Sequence, residues 1–296
     1  MNDTLFVFME RLIAGFRNNG KYRTAETYRS ALNSFKSFRN NLDVDFIAID
    51  SALVESYETW MRNRGLIPNT TSFYMRILRA VYNRGVDLEY TDNRRPFRHV
   101  YTGVDRTVKR ALTLSAMRRI RTLDLKSYPS LDFARDIFML SFYLRGMSFI
   151  DMAFLRKSDL RYGQIVYRRR KTGQLLTIGW TNEMQQILNK YPMNPTHYLL
   201  PILHRHKSNG RNYYRNISYN INHSLKRIGS MAGISISLTL YVARHSWASI
   251  AHSNGIPVSI ISEGMGHGSE ATTRIYLADL DTALIDRANA RIMKML

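Results

Sequence analysis

The sequence predicts a mostly α-helical chain with one small antiparallel sheet, an α+β arrangement split into two domains. Helix-period apolar stripes occupy residues 1–100, and a polar basic stretch without periodicity follows at 101–110. Beyond it, further helical stripes bracket two short β-like runs that flank a glycine-bearing turn. With 296 residues, 45% of them hydrophobic, the chain can bury two cores.

Residues 1–100 read as a helical bundle. Thr24 caps a segment in which Tyr28, Leu32, Phe35 and Phe38 fall along one helix face. A second segment opens at Pro68-Asn-Thr-Thr71 and carries Tyr74, Ile77, Leu78, Val81 and Tyr82 on the i, i+3, i+4, i+7, i+8 template. Both stripes are core. Arg62, Arg64, Arg76, Arg79 and Arg84 surround the second helix off its apolar face. Arg76 and Arg79 are candidates for contact with a phosphate backbone, and plain solvation of a helix would serve them equally well. Asn93-Arg-Arg-Pro96-Phe97 ends the bundle, and 101–110 is the expected linker.

The second domain, 111–296, opens with helical patterns at 115–123 and 131–144. Gly163–Tyr167 and Leu175–Ile178 then predict a hairpin around Lys171-Thr-Gly173. Helices are expected after the cap Asn182 with Met184, Ile187 and Leu188, along Ile217, Ile221, Leu225 and Ile228, and over 241–253 and 257–264. A last helix carries Leu280, Leu284, Ala288 and Ile292 at four-residue spacing, a stripe suited to its own domain or to a neighbouring protomer.

Charge narrows the partners. The chain holds 43 Lys+Arg against 23 Asp+Glu, a net charge of +20, with +6 in residues 1–110 and +14 in 111–296. Such an excess repels itself unless a polyanion neutralises it, and double-stranded DNA is the expected one. Arginine outnumbers lysine, which favours bidentate phosphate contacts. The absence of cysteine excludes disulfides and cysteine-based zinc sites. The start lacks a basic n-region and cleavage site, and no apolar run approaches the ~18 residues of a membrane span. A soluble cytoplasmic protein is expected, with no membrane partner and no small-molecule substrate.

The chemistry concentrates near the C-terminal end. Tyr276 follows His267 by nine residues and Arg244 by thirty-two. A phenol of pKa ~10 is a poor nucleophile at neutral pH, so a tyrosine that attacks a phosphodiester needs cationic and hydrogen-bonding neighbours for the phosphate. Arg244 and His267 are suited to that task. Alone, each would be an ordinary residue; their joint order makes them a candidate site.

Tyr241-Val-Ala-Arg244-His245, then Gly266-His267, then Thr273-Arg-Ile-Tyr276 resembles the C-terminal signature of the tyrosine recombinases, a family of phage integrases, chromosome-dimer resolvases and DNA invertases. The likeness implies a helical core-binding (SAM-like) domain at 1–100 and a recombinase catalytic domain at 111–296. It implies that Tyr276 forms a 3′-phosphotyrosyl link and releases a 5′-hydroxyl, with no metal and no cofactor, and that four protomers clamp two DNA sites. Arg244 matches the family's second arginine, and Lys171 in Arg168-Arg169-Arg170-Lys171 matches its hairpin lysine, a general acid for the leaving oxygen. Arg168, Arg169 and Arg170 are expected to face DNA, where backbone electrostatics alone would also explain them.

Two positions depart from the family pattern. Tyr241 stands where a histidine is usual; it can donate a hydrogen bond but is poorly suited to shuttling a proton. Counting back without gaps from Leu155-Arg-Lys-Ser-Asp159 puts Ser148 at the first-arginine position and Asp151 at the acidic one. Arg145, three residues earlier, is expected to fill the role if it shares a helix face with Ser148, with Arg170 as the alternative and Asp151 as a structural partner. His204 with His206, and Asp132 with Asp136, are weak metal sets beside this reading. The rival functions are a DNA-binding protein that keeps the fold without turnover, and a metal-dependent nuclease. Because the core-binding pattern begins almost at residue 1, a simple invertase is expected over an integrase with an added arm-binding domain.

Overall fold

The computed structural model describes residues 3–105, 110–203, 210–274, 277, 289, 290 and 293. The chain divides into two units, Met1–Thr107 and Val108–Leu296, each with its own core.

The first unit contains α1 (Leu5–Asn18), α2 (Tyr22–Phe38), α3 (Ser51–Asn63) and α4 (Pro68–Asp87). Proline at the first position of α4 has its φ already set for a helix and no N–H to waste. Asp50 caps α3 by accepting from Leu53 N at 2.8 Å. The expected stripes of α2 and α4 meet in the core, where Leu32, Phe35, Leu78, Val81 and Tyr82 are buried. Each such side chain contributes roughly 1.5–3 kcal/mol by leaving water. α2 begins two residues before the expected cap, so Thr24 lies in its first turn. α1 and α3 were not foreseen.

Half of the expected linker belongs to this unit. Tyr101 N donates to Glu58 Oε1 at 2.8 Å, Arg79 Nη1 to Thr102 Oγ1 at 3.2 Å, and Asp105 N to Asn69 Oδ1 at 2.8 Å. A polar stretch without apolar periodicity is thus fastened by hydrogen bonds rather than by burial. Residues 106–109 lie outside the described residues.

The second unit runs α5 (Leu114–Thr122), α6 (Pro129–Tyr143), α7 (Phe149–Ala153), β1 (Leu160–Arg161), β2 (Gln164–Arg168), β3 (Leu175–Gly179), α8 (Asn182–Asn189), α9 (Gly210–Met231), α10 (Leu240–Ser253), α11 (Val258–Met265) and α12 (Glu270–Arg274). The strands form one antiparallel sheet in the order β1-β2-β3, with Ile165 opposite Ile178 and Tyr167 opposite Leu176. Strict alternation buries those four residues against the helices and leaves the other face to solvent. α6, α9 and α10 supply the centre of the core with Ile137, Phe138, Leu225, Ile228 and Ala243. Asp132 and Asp136 on α6 are ion-paired with Arg135 and Lys190, and Tyr191 donates to Asp136 at 2.8 Å, so the pair fastens α6 to the end of α8. No helix among the described residues is long and apolar enough to cross a membrane. His204, His206 and the stripe Leu280, Leu284, Ala288 and Ile292 lie outside them.

Candidate active site

Arg244 lies on the buried face of α10, and only 3% of its surface is exposed. A guanidinium taken out of water is tolerated only where its N–H groups find acceptors. Nη1 donates to Gly146 O at 2.6 Å and Nη2 to Met265 O at 2.8 Å, with Nη2 also 2.8 Å from His267 Nε2. Both carbonyls belong to helix C-terminal turns. At the end of α6, Arg145 N bonds Phe142 O and Gly146 N bonds Ser141 O; at the end of α11, Gly266 N bonds Glu263 O and His267 N bonds Ser262 O. These are paired Schellman bonds, and the helix ends that they close carry partial negative charge suited to a cation. Gly146 must be glycine for this approach: its φ is +72° and an added Cβ would stand 2.8 Å from Arg244 Cα.

His267 is fixed in one protonation state by its neighbours. Arginine has no acceptor, so Nε2 accepts from Arg244 and the ring proton sits on Nδ1, which donates to Thr273 Oγ1 at 2.8 Å. Burial, then the charges of Arg244, Arg169 and Lys171, lower its pKa from 6.5 to about 4. The imidazole is therefore neutral at pH 7 and orients Arg244.

The β2–β3 hairpin closes through Arg169 N to Gln174 O at 2.8 Å and Gly173 N to Arg169 O at 2.7 Å, with Gly173 at φ +73°. Its turn exposes Arg168, Arg170 and Lys171. Arg169, expected to face DNA with them, is instead buried at 6% exposure and donates through Nη1 to Gly266 O. The inward alternation of Ile165 and Tyr167 continues one step past the strand, and that places Arg169 inside. Tyr167 lies beneath the turn; its phenol pKa is pushed up by burial and by Asp151, while Arg244, Arg169 and Arg145 oppose the rise. Tyr167 and Arg169 were not foreseen in these positions.

Arg145 occupies the turn after α6 at φ +57°, a left-handed conformation that costs a non-glycine residue about 1–2 kcal/mol. The expected shared helix face with Ser148 is not formed, because α7 begins only at Phe149 and Ser148 is its N-cap. Ser148 Oγ accepts from Asp151 N at 3.4 Å as that cap and donates to Asp151 Oδ2 at 2.6 Å, so it is spent on the start of α7. The Arg145 side chain instead passes α11 at Gly264 and reaches β3, where Nη1 is 3.4 Å from Thr177 O. Arg170 turns aside from that role, with its guanidinium 4.1 Å from the Phe154 ring centroid and its backbone N–H donating to Asp151 Oδ1 at 2.9 Å.

Against this geometry, a model of the phage integrase SAM-like domain matches residues 4–100 and a model of the phage integrase family matches residues 129–282. The chain belongs to the phage integrase family of tyrosine recombinases. It is 24% identical over 263 residues to a tyrosine recombinase XerA of Thermococcus kodakarensis, covering 76% of this chain and 89% of that one. Its fold is similar to that of a λ integrase (75–356) dimer bound to a COC′ core site, with TM-score 0.72, 16% identity and coverage of 94% and 96% of the two chains. A λ integrase tetramer bound to a Holliday junction gives TM-score 0.70 at 17% identity, covering 94% of this chain and 78% of that one.

In this chain, the second unit brings Arg244, His267 and Arg145 together under the hairpin that carries Lys171. Tyr241, in the first turn of α10, is itself exposed, its ring edge-on to His245 at 4.8 Å. Arg76 and Arg79 are exposed on α4 of the other unit. Tyr276 lies outside the described residues; Leu277, the next residue, is buried with Ala248, Ile261 and Met265.

Proposed function

We propose that this chain is a catalytically active site-specific recombinase that breaks and rejoins duplex DNA through a covalent tyrosine link. The observation that carries the proposal is the buried Arg244, held by two helix-end carbonyls beside a neutral His267, with Arg145 and the Lys171 hairpin converging on it. So dense a cluster of like charge is costly in an isolated protein and suits a site that awaits a phosphate.

In this reading Arg145 and Arg244 bind the non-bridging oxygens, where charge grows as Tyr276 attacks. The Tyr276 oxygen bonds to phosphorus and loses its proton to water, since both ring nitrogens of His267 are engaged. The bond to the 5′-oxygen breaks, and that oxygen takes its electron pair and a proton from the Lys171 ammonium. The ester conserves the bond energy, so a 5′-hydroxyl from a second strand reverses the steps and rejoins the DNA. Tyr241 donates its phenolic hydrogen bond to the same phosphate, and Arg168, Arg170, Arg76 and Arg79 contact the backbone. A homotetramer on two sites would perform the exchange. Inversion, integration and excision share this chemistry and differ in how the sites are arranged.

The test is incubation with nicked duplex DNA in EDTA. A covalent protein–DNA product is expected. DNA binding without it would make the chain a non-catalytic binder, and cleavage that requires a divalent metal would make it a nuclease.

A further inference from the structure

We propose that Arg169 is a positioning residue that couples the Lys171 hairpin to the His267 turn and so sets where the Lys171 ammonium meets the leaving oxygen. The proposal rests on the reading of Lys171 as general acid given above.

Three features place Arg169 in that role. Its backbone closes the hairpin on both sides, donating to Gln174 O and accepting from Gly173 N, so its position determines how the turn is carried. Its side chain is buried while Arg168, Arg170 and Lys171 are exposed, and Nη1 donates to Gly266 O, one residue before His267. The joint is close-packed as well: a Cβ on Gly266 would stand 2.7 Å from Leu176 Cδ1 and 3.3 Å from Arg169 Cδ. Arg244 takes the preceding carbonyl, Met265 O. One helix-end turn therefore anchors both the arginine that holds the phosphate and the hairpin that bears the acid.

A purely structural filler would not need to be charged. Burying a second guanidinium beside Arg244 is unfavourable compared with an apolar side chain of similar volume. Arginine offers the reach to cross from the hairpin to α11 and a planar donor that fixes direction as well as distance.

The experiment compares two nicked duplexes of the site recovered by sequencing DNA from wild-type covalent complexes. They differ only at the scissile phosphate, where one has the normal 5′-bridging oxygen and the other a 5′-bridging sulfur. A thiolate, with thiol pKa about 8.5, departs without an acid. Single-turnover cleavage is measured with the full chain at saturating DNA, alongside thermal unfolding and DNA affinity. Arg169→Met should slow the oxygen substrate about 10²-fold, the low end of what general acid catalysis contributes, and leave the sulfur substrate within a few-fold of wild type, as Lys171→Ala does. Arg169→Lys, which keeps stem and charge but shortens the reach, should show the same selective loss in smaller measure, and it carries the test if the methionine variant does not fold. Equal slowing of both substrates, or no slowing of either, overturns the proposal. If sulfur fails to rescue Lys171→Ala, the general-acid reading falls and the proposal falls with it; rescue of Lys171→Ala but not of the Arg169 variants refutes the coupling alone.

Discussion

Replacing Gly146 with alanine isolates what the α6 turn contributes to the placement of Arg244. The new Cβ would lie 2.8 Å from Arg244 Cα, 2.9 Å from its Cγ and 3.1 Å from its Cβ. Carbon atoms settle at about 3.5–4.0 Å, and a backbone atom cannot yield by rotating, so the turn and α10 must separate by roughly 0.7 Å. Left-handed φ adds about 1–2 kcal/mol and overpacking typically about 1–3, so a stability loss of about 2–5 kcal/mol is expected. A displacement of ~1 Å at a catalytic group lowers rate by about 10²-fold, and single-turnover cleavage of a nicked duplex should fall on that scale. Gly255→Ala is the control: φ is +80° there too, but nothing lies within 4 Å of the added Cβ. It should lose about 1–2 kcal/mol and cleave like wild type. If Gly146→Ala cleaves at the wild-type rate and is no less stable than Gly255→Ala, the turn does not position Arg244.

Arg145→Ala should slow cleavage by ~10² or more, the loss of a transition-state charge partner, whereas Ser148→Ala should cost about 1 kcal/mol of stability and little rate. A crippling Arg170→Ala beside a near-normal Arg145→Ala would move the first-arginine role to the hairpin. His267 is neutral when folded, with its pKa lowered to about 4, so the unfolded chain binds a proton more readily below pH 6.5. Stability should therefore fall as pH drops from about 6.5 to 4, by at most about 3 kcal/mol from this group, and urea titrations of His267→Gln should lack that part of the slope. DNA affinity should fall with salt by a log-log slope of about −0.9 per neutralised phosphate, and more steeply for the full chain than for residues 111–296; equal slopes would remove the first unit from the interface.

Elements with clean periodicity were legible in the sequence, and those without it were not. The stripes of α2 and α4 stand out because their apolar residues recur along one face. α1 opens with Leu5-Phe-Val-Phe-Met9, a nearly continuous apolar run that conceals the helix period. α3 hides its face differently: buried Glu58, bonded to Tyr101 N and paired with Arg62, interrupts the row of Val54, Tyr57 and Met61. β1 is two residues long and offers no pattern at all. Within the site, Arg244 and His267 were readable from their spacing, and the Lys171 turn from the β-like runs that flank it. The setting of Arg145 was not, because it depends on a left-handed residue in a turn where glycine is usual. Arg169 could have been found, since its inward position extends the alternation of Ile165 and Tyr167. A run of four basic residues masked it.

The identity of the nucleophile is the most direct test of the account. Wild-type protein trapped on a nicked duplex in EDTA is digested, and the DNA-linked peptide is sequenced. The expected peptide carries the phosphodiester on Tyr276, and Tyr276→Phe should form no covalent product while its DNA affinity stays close to wild type, because one hydroxyl contributes little to a multi-phosphate interface. A link on another of the 18 tyrosines, or cleavage that survives Tyr276→Phe, would contradict the account.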